Sequence, residues 1–147
     1  MSCPSMAVLP KAYILDGDSF AARIFTVASD DRVNPEVFVF TENGGIDSAA
    51  LKKGETDIDK LMKGTKGTKW GEGDWYPMSK EDIIGGEGKL KIKQGVGVHN
   101  WGGIIKIKTK KGPKVYPFTS SFEVGKPSTT IAASAMNVFY AGIDNPI

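Results

Sequence analysis

His99 is the single histidine and Cys3 the single cysteine in the 147 residues of this chain. A Ser-His-Asp relay or a zinc centre would have to be assembled around that one imidazole, and zinc sites draw several ligands from His and Cys. The segment Gly97-Val98-His99-Asn100-Trp101-Gly102 supplies no second ligand and reads as a glycine-flanked turn. His99 is therefore assigned a structural or surface role, and His/Cys zinc chemistry is excluded within the chain. Asp16, Asp18, Asp30 and Asp31 flank one early apolar run. Clustered carboxylates suit Ca²⁺, which takes about six to eight oxygens, but Phe20 stands where an EF-hand loop needs its third oxygen ligand. Gly85-Gly86-Glu87-Gly88-Lys89 has the look of a phosphate loop. It carries Ile83 where the Walker pattern needs glycine and Leu90 where it needs Ser or Thr, so it is read as a hairpin approach. No catalytic residue, cofactor or metal is expected.

Two other sets of side chains are suited to binding. Trp70, Trp75, Tyr76 and Trp101 fall in or beside polar, glycine-rich sequence. Aromatic rings in loops stack on sugars, anchor protein interfaces, or cap the open ends of a sandwich. Lys89, Lys91 and Lys93 share one strand face by period-two placement, as do Lys106, Lys108 and Lys110. Aromatics do not interleave with them, as a single-strand nucleic-acid platform requires, so they read as a soluble sheet face or a charged docking surface.

Short strands separated by turns must position these groups. Eighteen Gly and eight Pro in a chain of net charge +2 favour a turn-rich β protein, and the charge implies neither nucleic acid nor an acidic membrane. No run approaches the ~20 apolar residues that span a bilayer, and no leader segment is recognisable. Ala12-Tyr13-Ile14-Leu15 and Ser19 to Val27 alternate around Asp16-Gly17-Asp18 and predict a hairpin. In the second run Phe20, Ala22 and Ile24 share a face. Glu36 to Phe40 follows as a third strand. Residues 46–88 are a long decorated loop, with a helical turn over Thr56 to Lys63 and a capping signal at Ser79 and Asp82. From Lys89 the alternation returns: Leu90 and Ile92, then Ile105 and Ile107, a turn at Lys110-Lys111-Gly112-Pro113, then Val115 to Phe118 and Ser121 to Val124. Thr129 to Ile131 and Asn137 to Tyr140 close the series. This is the pattern of an all-β, antiparallel, immunoglobulin-like β-sandwich. Residues 1–10 read as lead-in or appended residues, 11–126 as the β-domain, and 127–147 as an interdomain junction with the first strand of a following β-domain.

Three stretches resemble the GldM/PorM family of gliding-motility and type IX secretion proteins of Bacteroidetes. They are VLPKAYILDGD with FAARIF from Val8 to Phe25, GVGVHNWGGIIKIKTKKGPKVYPFTSSFEV from Gly95 to Val124, and AMNVFYAGIDNPI from Ala135 to Ile147. Together they cover about half the chain, and the third is the most specific; 46–88 matches only loosely. The resemblance implies the second periplasmic domain of a dimeric rod anchored in the inner membrane, where it pairs with a membrane partner as a proton-driven motor. The rod reaches an outer-membrane-associated ring. It also implies that Met136, Val138, Phe139, Tyr140, Asn145 and Pro146 belong to a junction, and that the strand there packs back on its own domain or pairs with a neighbour's edge. A carbohydrate-binding sandwich using the loop tryptophans is the alternative. A paired-carboxylate enzyme is the weaker rival, since it needs two acids facing one groove.

Overall fold

Period-two patterning becomes alternate burial once two sheets face each other. The computed structural model describes residues 7–8, 11–27, 35–84, 87–126 and 136–142. Among them the strands are β1 (Ala7–Val8), β2 (Ala12–Leu15), β3 (Phe20–Val27), β4 (Glu36–Phe40), β5 (Gly45–Ile46), β6 (Met62–Lys63), β7 (Trp75–Pro77), β8 (Ile83–Ile84), β9 (Glu87–Ile92), β10 (Gly97–Thr109), β11 (Gly112–Gly125) and β12 (Met136–Gly142). Two short helices, α1 (Ser48–Lys52) and α2 (Ile58–Leu61), and a 3-10 turn at Lys80–Asp82 lie between β5 and β8. The first sheet runs β1-β11-β10-β4-β7, with β2 also on β11; the second runs β12-β3-β9-β8; β5 and β6 form a small ribbon. The chain is an all-β sandwich.

Phe20, Ala22 and Ile24 of β3 with Leu90 and Ile92 of β9 form one wall of the main core. Ile14, Val37, Val39, Trp101, Ile105, Phe118 and Phe122 of the first sheet form the other. Phe20 stacks on Phe122 at 4.4 Å between ring centres and meets Trp101 edge-on at 5.7 Å. Each such side chain taken fully out of water contributes about 1.5–3 kcal/mol, which makes this cluster the main apolar anchor of the sandwich.

The first sheet is buried on its outer face as well. Phe40, Ile104 and Val115 point away from the main core and are covered by Ile46, Leu51, Ile58, Leu61, Met62 and Trp75. This explains why Trp101 to Ile105 is buried without interruption, as in strands covered on both faces. The stretch read as a decorated loop therefore supplies a helical cap. Asp47 starts α1 by accepting the Ala49 and Ala50 N–H groups at 3.1 and 3.2 Å. The turn expected over Thr56 to Lys63 forms as α2, with Asp57 as its N-cap. Ser79 caps the 3-10 turn as its position implies, accepting the Glu81 N–H at 3.3 Å.

Two sequence expectations are corrected. The runs around Asp16-Gly17-Asp18 do not form a hairpin: β2 pairs in parallel with β11 in the first sheet, whereas β3 pairs with β9 and β12 in the second. The turn carries the chain across the sandwich, with Gly17 at φ +97°, because Ile14 and Phe20 enter the same core from opposite walls. His99 lies in β10, directly opposite Phe122 of β11, and not in a turn. The neighbouring glycines are set by packing: a Cβ at Gly102 would meet the Phe118 carbonyl and the Phe40 ring, and one at Gly103 the Phe38 carbonyl and, beyond it, the Phe118 ring.

Candidate functional site

The glycine-rich segment before β7 is ordered by one carboxylate. Asp74 accepts the Thr65 N–H on its side chain at 2.8 Å, and its backbone carbonyl accepts the Thr41 N–H at 2.9 Å. Thr65 O in turn accepts the Asp74 and Trp75 N–H groups at 2.7 and 3.2 Å. Gly64, at φ +99°, has the Asp74 side chain where a Cβ would stand. Within this fold the Thr68 hydroxyl donates to Glu72, and Trp70 rests half-buried against the rim of the main core.

An open cleft of about 780 Å³ lies beside this loop. Trp70, Tyr76 and Met78 give it apolar surface, Ser79 and Asp82 come from the start of the 3-10 turn, and Arg23, Lys69, Lys89 and Lys91 are its cations. Burial pushes the Tyr76 hydroxyl well above its ordinary pKa, and the Asp82 carboxylate pushes the same way. Tyr76 therefore stays a neutral phenol at physiological pH. Arg23 hydrogen-bonds Glu87 at 2.5 Å, which holds that carboxyl below the usual carboxylate range against the opposing effect of burial; Lys89 adds to the lowering. The cleft thus has aromatic surface, a neutral phenol, the Asp82 carboxylate and a cationic rim in which Arg23 and Lys69 are paired with Glu87 and Glu72, leaving Lys89 and Lys91 to attract an anionic or partly apolar ligand.

The four aromatic candidates separate. Trp101 is 0% exposed in the main core, and Trp75 is 4% exposed under the helical cap, with Lys66 Nζ 5.8 Å from its ring centre. Tyr76 is buried with its ring in the main core, and Trp70 is the half-buried one. Trp75 and Trp101 are corrected from loop aromatics to core residues, because both faces of the first sheet need large apolar side chains. A sugar platform built on three tryptophans therefore loses two of them.

Met136, Val138, Phe139 and Tyr140 lie in β12, which pairs in parallel with β3 from Met136↔Ala21 to Gly142↔Val27. Of the two fates expected for that strand, this is packing back on its own domain. Asn145, Pro146, Cys3, Asp30, Asp31 and the Thr129–Ile131 strand lie outside the described residues. The two lysine stripes face opposite ways. Lys89 and Lys91 alternate with Leu90 and Ile92 of the main core, while Lys106 and Lys108 share the parity of Ile104 on the capped face. His99 ties the β10 start to the loop after β4: its Nδ1 is 2.9 Å from Glu42 Oε1 and its Nε2 2.7 Å from the Gly95 carbonyl. Both partners are acceptors, so only a doubly protonated ring donates to both. Among the described residues no group of three or more His, Cys, Asp or Glu side chains is placed to hold a metal ion.

Sequence reasoning did not single out Arg23, Lys69, Met78 or Asp82 as members of one site. Arg23 was legible as outward-facing on β3, but nothing local to 68–82 shows that this segment meets β3 and β9.

Fold and cleft together define a β-sandwich domain with a helical cap on one sheet and a basic-rimmed cleft at the border of the other. Compared with protein-family models, curated proteins and solved structures, the chain matches none.

Proposed function

We propose that this chain is a non-enzymatic, immunoglobulin-like structural domain of a dimeric periplasmic rod, anchored through its full-length protein in the inner membrane. The rod couples a membrane motor to an outer-membrane-associated secretion and gliding complex. The observation that carries this reading is the β10–β11 ladder, which runs unbroken from Gly97↔Val124 to Thr109↔Gly112. Strands of 13 and 14 residues span about 45 Å at ~3.4 Å per residue. Cores on both faces of the sheet resist its bending. The parallel pairing of β12 with β3 suits force transmission too: a pull on the end of β12 against the start of β3 loads their ladder in shear, so its hydrogen bonds must yield together. The resemblance of the Val8–Phe25, Gly95–Val124 and Ala135–Ile147 stretches to the GldM/PorM family supplies the machine.

The test is location and assembly in a bacterium that carries the chain. With the outer membrane permeabilised, external protease is expected to reach this domain, and crosslinking is expected to capture a homodimer together with the inner-membrane motor partner. A chain shielded until the inner membrane is lysed, or one that stays monomeric, would sink the rod reading.

A further inference from the structure

The second sheet has an edge without a strand partner inside the cleft, beside the 3-10 turn at Lys80–Asp82. β3 pairs with β9 from Phe25↔Glu87 to Phe20↔Ile92, whereas β8 covers the other side of β9 only at Glu87 and Gly88. Among the described residues no strand pairs with the outer edge of Lys89, Leu90, Lys91 and Ile92. Alternate backbone N–H and C=O groups on that edge point away from β3. Lys89, Leu90 and Lys91 are also cleft residues, sharing it with Trp70 and Met78.

The side chains state what the edge accepts. Lys89 and Lys91 are exposed and share the outer face, while Leu90 between them turns inward. Neither lysine closes a salt bridge among the described residues. A second copy of this edge would set lysine against lysine, which disfavours self-pairing. A strand with carboxylates at alternate positions would match both lysines, and its intervening side chains would face the apolar part of the cleft.

We propose that the β9 edge and its cleft bind an extended acidic peptide segment of a partner protein as an added strand. Backbone bonds to β9 would supply affinity, carboxylates on Lys89 and Lys91 would set register, and an apolar side chain beside Trp70 and Met78 would supply selectivity. This site is independent of the rod assignment and stands or falls separately from it.

Calorimetric titration of the whole chain with a short peptide of alternating Glu and Val tests it. The peptide is expected to bind. Affinity should fall about tenfold or more, roughly 1.4 kcal/mol per tenfold, in the double variant Lys89→Glu with Lys91→Glu. The control pair Lys106→Glu with Lys108→Glu, on the opposite face, should leave it unchanged. N-methylation of alternate peptide nitrogens keeps the charge but removes the donors, and should weaken binding to a similar degree. Equal binding of the methylated peptide would reduce the site to a charge patch and overturn strand addition. Binding of heparin fragments without binding of the peptide would reassign the cleft to anionic glycans, and no binding of the Glu/Val peptide at all would remove the proposal.

Discussion

Gly103 lies directly opposite Phe118 across the β10–β11 ladder, and a Cβ at Gly103 would collide with the Phe38 carbonyl and press on the Phe118 ring at 3.0 Å. The preceding residue repeats the arrangement on the other face, with Gly102 opposite Phe40 of β4 and the Phe40 ring over it. Each glycine admits one aromatic ring into one of the two cores, so the pair couples the inner and outer packing of the first sheet at adjacent positions.

Gly103→Ala should therefore act as overpacking, costing about 1–3 kcal/mol. Gly95, whose Cβ position is open, is the matched control, and Gly95→Ala should stay within about 0.5 kcal/mol. Chemical denaturation of the two variants distinguishes them; equal midpoints would show that the β4 backbone at Phe38 and the Phe118 ring both yield without cost.

The helical cap should respond to loss of its own core. Leu61 is 0% exposed in the second cluster, and Leu61→Ala should cost about 2–5 kcal/mol. Asp47→Ala removes the acceptor for two helix N–H groups and should cost about 0.5–2 kcal/mol. If hydrogen exchange rises in residues 46–63 while β3 and β9 stay protected, the cap opens as a separate unit. Uniform loss across both sheets would show one cooperative block.

Acid should reveal the Arg23–Glu87 pair. The guanidinium hydrogen bond lowers the Glu87 carboxyl in the folded state, so the folded chain holds that proton more weakly than the unfolded chain. The resulting stability is present above the unfolded-state pKa and is lost as pH falls through the folded one. Wild type should melt above Glu87→Gln at neutral pH, and the two curves should converge in acid. A gap independent of pH would assign the effect to packing.

Fluorescence should report one accessible indole. Trp70 is half-buried at the cleft, while Trp75 and Trp101 are buried. Acrylamide quenching is expected to fall sharply in Trp70→Phe. If Trp75→Phe removed as much quenchable emission, the helical cap would not be closed over Trp75.

Legibility of the fold followed the range of the forces. Ala12–Leu15, Glu36–Phe40 and the alternation of Leu90 and Ile92 with lysines were readable because a half-buried strand writes its burial into every second residue. Ser79 was readable because a helix cap is settled within three residues. Gly97 to Gly102 misled for the same reason: glycine signals a turn locally, and only neighbours distant in sequence show when it is making room for a ring.

The sequence by itself determined that the chain is β-rich and where most strands lie. Tertiary structure decided which sheet each strand joins, that residues 46–63 cover the first sheet, that Trp75 and Trp101 are core, and that Trp70, Arg23, Lys89 and Lys91 share a cleft. Period-two patterning specifies which face of a strand is buried, but strand pairing depends on contacts between residues far apart in the chain. The second core depends further on a face of Phe40, Ile104 and Val115 that needs its cover only after the sheet has formed.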